Sequence, residues 1–242
     1  MRSFAQVIGG DVEDRIAHRR RTETGLRKFI RNQELDAFPA VVVEESLMDG
    51  AKSLLQSHAI GGLRPNALLL AWREEPEEPK EFGRMLRLSR ALDRSVIAVR
   101  CDSRAERWSV PDGTIDVWWP TRGNGALMLV FALLLSQTPL WRKRPIRLLH
   151  AVQSPVERER AAPMLTELLE AARMRVAREI IVSQDVGLAL RTASEGAAVV
   201  FRGCNPPEDG TEEAWHRETS ERMAGLGDVI LVSSAGDVRL EA

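Results

Sequence analysis

The sequence predicts an α/β protein in which mostly parallel sheets are covered by helices, and three observations carry that expectation. Short runs rich in Val, Ile and Leu alternate with longer helical stretches along the whole chain. Runs such as AVVV and LLLAW are apolar at every position, the pattern of strands covered on both faces and hence of an interior sheet. A chain of 242 residues, 44% hydrophobic and 29% charged, has the composition of a folded globular protein large enough for a substantial core.

Taken in order, the first strand is expected near Phe4 to Ile8, closed by the turn Gly9-Gly10. Asp11 then caps a helix over Val12 to Asn32 whose residues are mostly charged. Strands at Phe38 to Glu44 and Ala67 to Trp72 flank a helix over Glu45 to His58. The acidic, proline-bearing stretch Glu74 to Glu81 links the latter strand to a helix over Glu81 to Asp93. Strands follow at Val96 to Arg100 and at Thr114 to Trp119, the second ending in two tryptophans and the turn residues PTRGNG. Beyond that turn lie a helix over Asn124 to Gln137, a strand at Ile146 to Ala151 and a helix over Pro155 to Arg173. The chain finishes with strands at Arg175 to Val182, Ala197 to Phe201 and Val229 to Val232, separated by helices over Ser183 to Ser194 and Glu212 to Ala224. The turn after the tryptophans marks the expected division into a first α/β subdomain, 1–120, and a second, 121–242, with four or five strands each and no clean sequence repeat between them.

Charge and motif content exclude several functions. With 34 basic and 35 acidic residues the net charge is -1, so nothing global draws the chain to nucleic acid or to an anionic membrane. Its longest apolar run, Ala126 to Leu135, is half of what a membrane span needs, and the opening residues lack the apolar core of a secretion signal. Two distant cysteines, Cys101 and Cys204, read as free core thiols in a reducing compartment. His18, His58, His150 and His216 fall on four different elements, without HExxH or CxxC spacing, so no metal site is expected. A nucleophile elbow is absent, and no catalytic residue is assigned. Gly9-Gly10-Asp11 has the place of a phosphate-binding turn without its motif, and a tight turn with a capping acid is the better reading. His18 to Arg21 has the charge to touch acidic lipid headgroups, but a solvated helix face balanced by Glu13, Asp14 and Glu23 is the better reading.

The informative segment runs from Gly113 to Leu149. On an extended strand Ile115, Val117 and Trp119 share one face, while Thr114, Asp116 and Trp118 share the other. An aromatic ring among polar neighbours suits a domain or subunit interface, and core filling between the two subdomains is the equal alternative for Trp118. The helix that follows is apolar all round, which requires burial on several sides, within the fold or in a dimer.

This segment resembles the cytosolic C-terminal domain of the cation-chloride cotransporters, the sodium-potassium-chloride and potassium-chloride carriers. The resemblance rests on GTIDVWW, with Asp116, Trp118 and Trp119, then on Gly125 with its apolar helix and on Trp141-Arg142-Lys143. A second block, Gly61-Gly62-Leu63-Arg64-Pro65-Asn66 before ALLLAW, carries Gly62, Pro65 and Asn66. A third, AAVVFRGCNPP with a helix and then GDVILVSSAGDV, extends the likeness over nearly the whole chain.

The resemblance implies two pseudo-similar halves like universal stress protein folds, on the cytoplasmic side of the cell membrane. It implies a homodimer joined to a transmembrane transport domain of the same polypeptide, without ion ligands of its own; no cofactor is expected, and the charge balance leaves no nucleic-acid partner. Three departures accompany it. Gly123-Asn124 stand where the family has an acid and a glycine. Ser183 to Ser194 passes directly to the next strand, without the long phosphorylatable insertion of the animal carriers, which points to a prokaryotic version. The family domain also has a strand and helix before the one at Phe4, so a sheet lacking that strand would show an unpaired edge or a central gap. This last departure points to a fragment, or to a homologue without the membrane part. The alternative is a free-standing universal-stress-protein-like chain that binds ATP at the carboxyl ends of its strands.

Overall fold

The computed structural model describes residues 2–58, 65–74, 79–102, 111–120 and 123–236. The strands are β1 Ser3–Gly9, β2 Phe38–Glu44, β3 Ala67–Ala71, β4 Ser95–Arg100, β5 Thr114–Trp118, β6 Ile146–Val152, β7 Ala177–Val182, β8 Ala197–Gly203 and β9 Asp228–Ser233. Between them run α1 Val12–Asn32, α2 Leu47–Ser57, α3 Pro79–Ala91, α4 Gly125–Ser136, α5 Pro155–Ala171, α6 Val186–Ala193 and α7 Glu212–Met223. Every expected strand and helix is present, with ends moved by a turn or less. The largest shift, at the start of α6, follows from Asp185, whose side chain accepts from the Leu188 amide and so sets the helix start later than Ser183. At the other end of the chain Asp11 accepts from the Glu13 amide and caps α1, just after Gly10 in a left-handed conformation.

Seven strands form one sheet in the order β3-β4-β9-β8-β5-β6-β7, and β1 pairs with β2 in a separate two-stranded sheet. All neighbours are parallel except β4 and β9, which meet antiparallel. The division expected at residue 120 therefore falls inside the large sheet, where β5, before it, pairs with β6 and β8, after it. Two similar halves are nonetheless visible. The neighbouring pairs β1–β2 and β3–β4 repeat the pairs β6–β7 and β8–β9, and the last strands of the two halves, β4 and β9, join them. In the second half β5 fills the place between its pairs; in the first half no described strand does, and β1 and β3 each keep one unpaired edge.

On one face of the large sheet Ile115, Val117, Leu148 and Phe201 pack against Met128 and Leu129 of α4 and Leu165 of α5. The opposite face sets Trp118, Leu149, Val200 and Leu231 against Leu190 of α6 and Met223 of α7. Helix α4 thus buries Gly125, Met128, Leu129 and Ala132 in its own fold, while Leu134 stays 53% exposed. The expectation of an interior sheet fails at β3, where Leu69 is 66% exposed. Among the described residues β3 is the edge strand of this sheet, and the face that carries Leu69 is left uncovered, so its all-apolar sequence is not matched by cover on both faces. Cys101, expected in the core, is exposed just past the end of β4, whereas Cys204 is half-buried and its thiol is pushed up to about 12 by burial.

Candidate functional site

The motif residues of the central segment converge at the end of β5. Asp116 has no exposed surface, and its carboxylate is surrounded by donors. Arg147, directly across in register on β6, donates from Nε at 2.9 Å and from Nη2 at 2.7 Å. Thr114 Oγ1 donates at 2.6 Å, and Ser194 Oγ, at the C-terminal cap of α6, donates at 2.7 Å. Trp118 then donates from its indole nitrogen to Ser194 Oγ at 2.9 Å. Trp118 is 6% exposed, so the polar company of this aromatic is a buried network under α6. Arg147 also donates to the Ala193 carbonyl at 2.8 Å and has its own pKa raised by the Asp116 hydrogen bond. With both carboxylate oxygens occupied, Asp116 ties β5, β6 and the end of α6 together and has no lone pair directed to a substrate.

On the other face Trp119 reaches the first turn of α4. A Cβ on Gly125 would lie 2.9 Å from the Trp119 ring, so only glycine lets the indole seat there. The neighbouring Asn124 donates to the Cys204 carbonyl at 3.0 Å and accepts from the Ser234 amide at 2.7 Å. Gly203 makes room for it, since a Cβ there would meet the Asn124 amide at 3.1 Å. In the order β9-β8-β5-β6-β7 the connections reverse between β5 and β8, and the carboxyl ends of these two strands border the crevice where doubly wound sheets take ligands. Beside it, at the start of α4, Asn124 links the ends of β8 and β9 to that helix.

The remaining motif residues do not join this cluster. Pro65 and Asn66 precede β3 on the far side of the sheet, where the Asn66 carbonyl accepts from Ser95 and sets the start of the β3–β4 pair. Trp141 lies in the turn after α4 and packs against the α4–α5 core. Gly62 lies outside the described residues. Sequence reasoning missed Arg147, Ser194 and Asn124. An arginine inside the apolar strand IRLLHAV, one strand after an aspartate in IDVWW, is the pattern of a buried cross-strand ion pair and was the available signal for Arg147. Ser194 and Asn124 sit in ordinary cap positions, and only the tertiary fold gives their side chains these partners.

The fold and this packing define a class, the doubly wound α/β domains like universal stress proteins. A universal stress protein from Archaeoglobus fulgidus has the same fold with a TM-score of 0.58 at 12% identity, covering 97% of this chain and 86% of its own. A functionally unknown protein from Pseudomonas aeruginosa matches with 0.58 at 11% identity, covering 96% and 82%. Within that class, the cytoplasmic domain of a prokaryotic cation chloride cotransporter matches with a TM-score of 0.65 at 18% identity, over 98% of this chain and 87% of that one. In sequence, residues 4–103 match the model of Solute carrier family 12. The resemblance read from the motifs is thus borne out by a sequence match in the first part of the chain and by a fold match over nearly all of it.

Proposed function

We propose that this chain is the cytosolic regulatory and dimerisation domain of a cation-chloride cotransporter-like carrier, without catalytic activity of its own. The observation that carries the reading is the coincidence of the Solute carrier family 12 match over 4–103 with the fold of a cotransporter cytoplasmic domain over 98% of the chain. No helix among the described residues is long and apolar enough to cross a membrane, so ion movement on this reading belongs to a transport domain elsewhere in the polypeptide. Such a domain biases the carrier only if its contacts differ between the carrier's conformations. Phe4 and Phe29, in edge-to-face contact with ring centroids 6.1 Å apart, are 38% and 47% exposed and supply apolar surface of the kind that pairing buries.

Light scattering tests the self-association, with a dimer expected and a monomer at every accessible concentration overturning it. Membrane spans encoded in frame with this domain are expected in the gene, and their absence would remove the carrier assignment. The second reading, a free-standing ATP-binding protein, is favoured by the likeness to a universal stress protein. Against it stands the absence of a phosphate-binding glycine motif after β1 or β5 in the sequence. Calorimetry with ATP separates the two: micromolar binding supports the second reading, and no heat of binding supports the first.

A further inference from the structure

On the opposite face of the sheet from α4, a cavity of about 850 Å3 opens between α6 and α7. Its floor is the cross-strand pair Trp118 and Arg202, which face each other in register at the ends of β5 and β8. The Arg202 guanidinium carbon lies 5.9 Å from the centroid of the Trp118 ring, a placement that holds the charge against the aromatic. Arg202 makes no ion pair among the described residues, and its Nη1 is buried without a hydrogen-bond partner. Arg191 of α6 lines the same cavity and is likewise without an ion pair among the described residues.

Among the described residues none of the carboxylates lining the cavity forms an ion pair with Arg202, although Glu218 is near enough to act on its charge. Glu218 pairs with Arg222 one turn along α7, and Asp185 accepts from the Leu188 amide as the cap of α6. Glu221 also lines the wall. Burial is the main cause that lowers Arg202 to about 10; the Arg222 and Arg191 charges add to it, and Cys204 and Glu218 oppose it only in part. Arg202 is half-buried, and a guanidinium nitrogen withdrawn from water, as its Nη1 is, normally finds an oxyanion in exchange. Val186, Leu190 and Ala224 add apolar wall, and the volume is that of a small-molecule pocket.

We propose that this cavity is a binding site for a small organic oxyanion, a phosphate or carboxylate carried on an apolar body, with Arg202 and Arg191 as its two cationic contacts. The inference does not depend on the carrier reading, since it concerns the isolated chain. The test is calorimetric titration of the folded protein at low salt with inorganic phosphate, phenyl phosphate and benzoate. Phenyl phosphate is expected to bind more tightly than inorganic phosphate, because the apolar wall adds to the charge contact. The ranking of phenyl phosphate against benzoate then tells which head group the site takes. Replacing Arg202→Gln is expected to weaken binding by about tenfold or more, and Arg191→Gln, at the cavity wall on α6, to weaken it measurably with the fold unchanged. Circular dichroism checks that both variants fold; if Arg202→Gln does not, Arg191→Gln decides alone. Absence of saturable binding for all three probes overturns the proposal, as does binding that neither substitution changes.

Discussion

Asp116 illustrates how much one side chain holds in this protein. Its carboxylate gathers Arg147, Thr114, Ser194 and, through Ser194, Trp118, in a place without solvent. Removing one member of a buried pair leaves the others uncompensated, a larger effect than the net worth of the pair. Asp116→Ala is therefore expected to cost about 3–5 kcal/mol in chemical denaturation, and Asp116→Asn, which keeps the shape and some of the hydrogen bonds, about 1–3 kcal/mol. Equal losses in the two variants would show that the charge alone, and not the shape or the remaining hydrogen bonds, is what the site depends on. Trp118→Ala should lose about 3–5 kcal/mol through the cavity it leaves, with dimerisation unaffected in light scattering; dissociation of an intact fold would place Trp118 at the subunit interface instead.

Among the elements, α4 and α1 make opposite demands on glycine. Gly125 opens α4 directly beneath Trp119, with ring carbons 2.9–3.0 Å from where a Cβ would stand. Gly125→Ala must push the indole or the helix away and is expected to cost about 1–3 kcal/mol, read as a lowered denaturation midpoint. Gly25 lies in the exposed middle of α1 with nothing within 4 Å of an added Cβ. There the same substitution should stabilise by about 0.5–1 kcal/mol, because alanine restricts the unfolded chain and favours helix. A stabilised Gly125→Ala would show that Trp119 is not seated as described. The contrast also shows why α1 was legible: its cap, charge pattern and length are local properties of the sequence. The place of α4 was not, because a helix apolar on every side has no periodicity to say which face meets the sheet.

For the molecule as a whole, the joint between the halves is the antiparallel β4–β9 pair together with α3 packed on α7. At that joint Arg87 of α3 is paired with Asp209 at 2.7 Å and with Glu212. Beside them His216 of α7 stacks on Trp72 with centroids 4.3 Å apart, and burial lowers its pKa below the ordinary value of 6.5. As pH falls below that value the unfolded chain takes up the proton before the folded one, so stability declines from about pH 6.5 toward the lowered folded value. Glu212, held below its ordinary range by Arg87, adds a second decline in the acid range, where the unfolded carboxylate protonates first. His216→Phe keeps the stacking and should flatten the first decline while leaving the second. A slope unchanged near neutral pH would exclude His216 as its source.

What could be read along the chain and what could not differ in range. Strand and helix positions, the cap at Asp11 and the turn at Gly10 depend on neighbours a few residues apart, and the order of apolar runs and breakers is enough to place them. The motif blocks, local in the sequence, carry the resemblance to a transporter family. The pairing of Asp116 with Arg147, the seating of Trp119 on Gly125, the exposed face of β3 and the antiparallel joint of the halves all involve residues distant in sequence. A buried aspartate and an exposed leucine have the same local pattern as their opposites, because burial depends on which strand or helix arrives from elsewhere in the chain, and only the assembled sheet decides that.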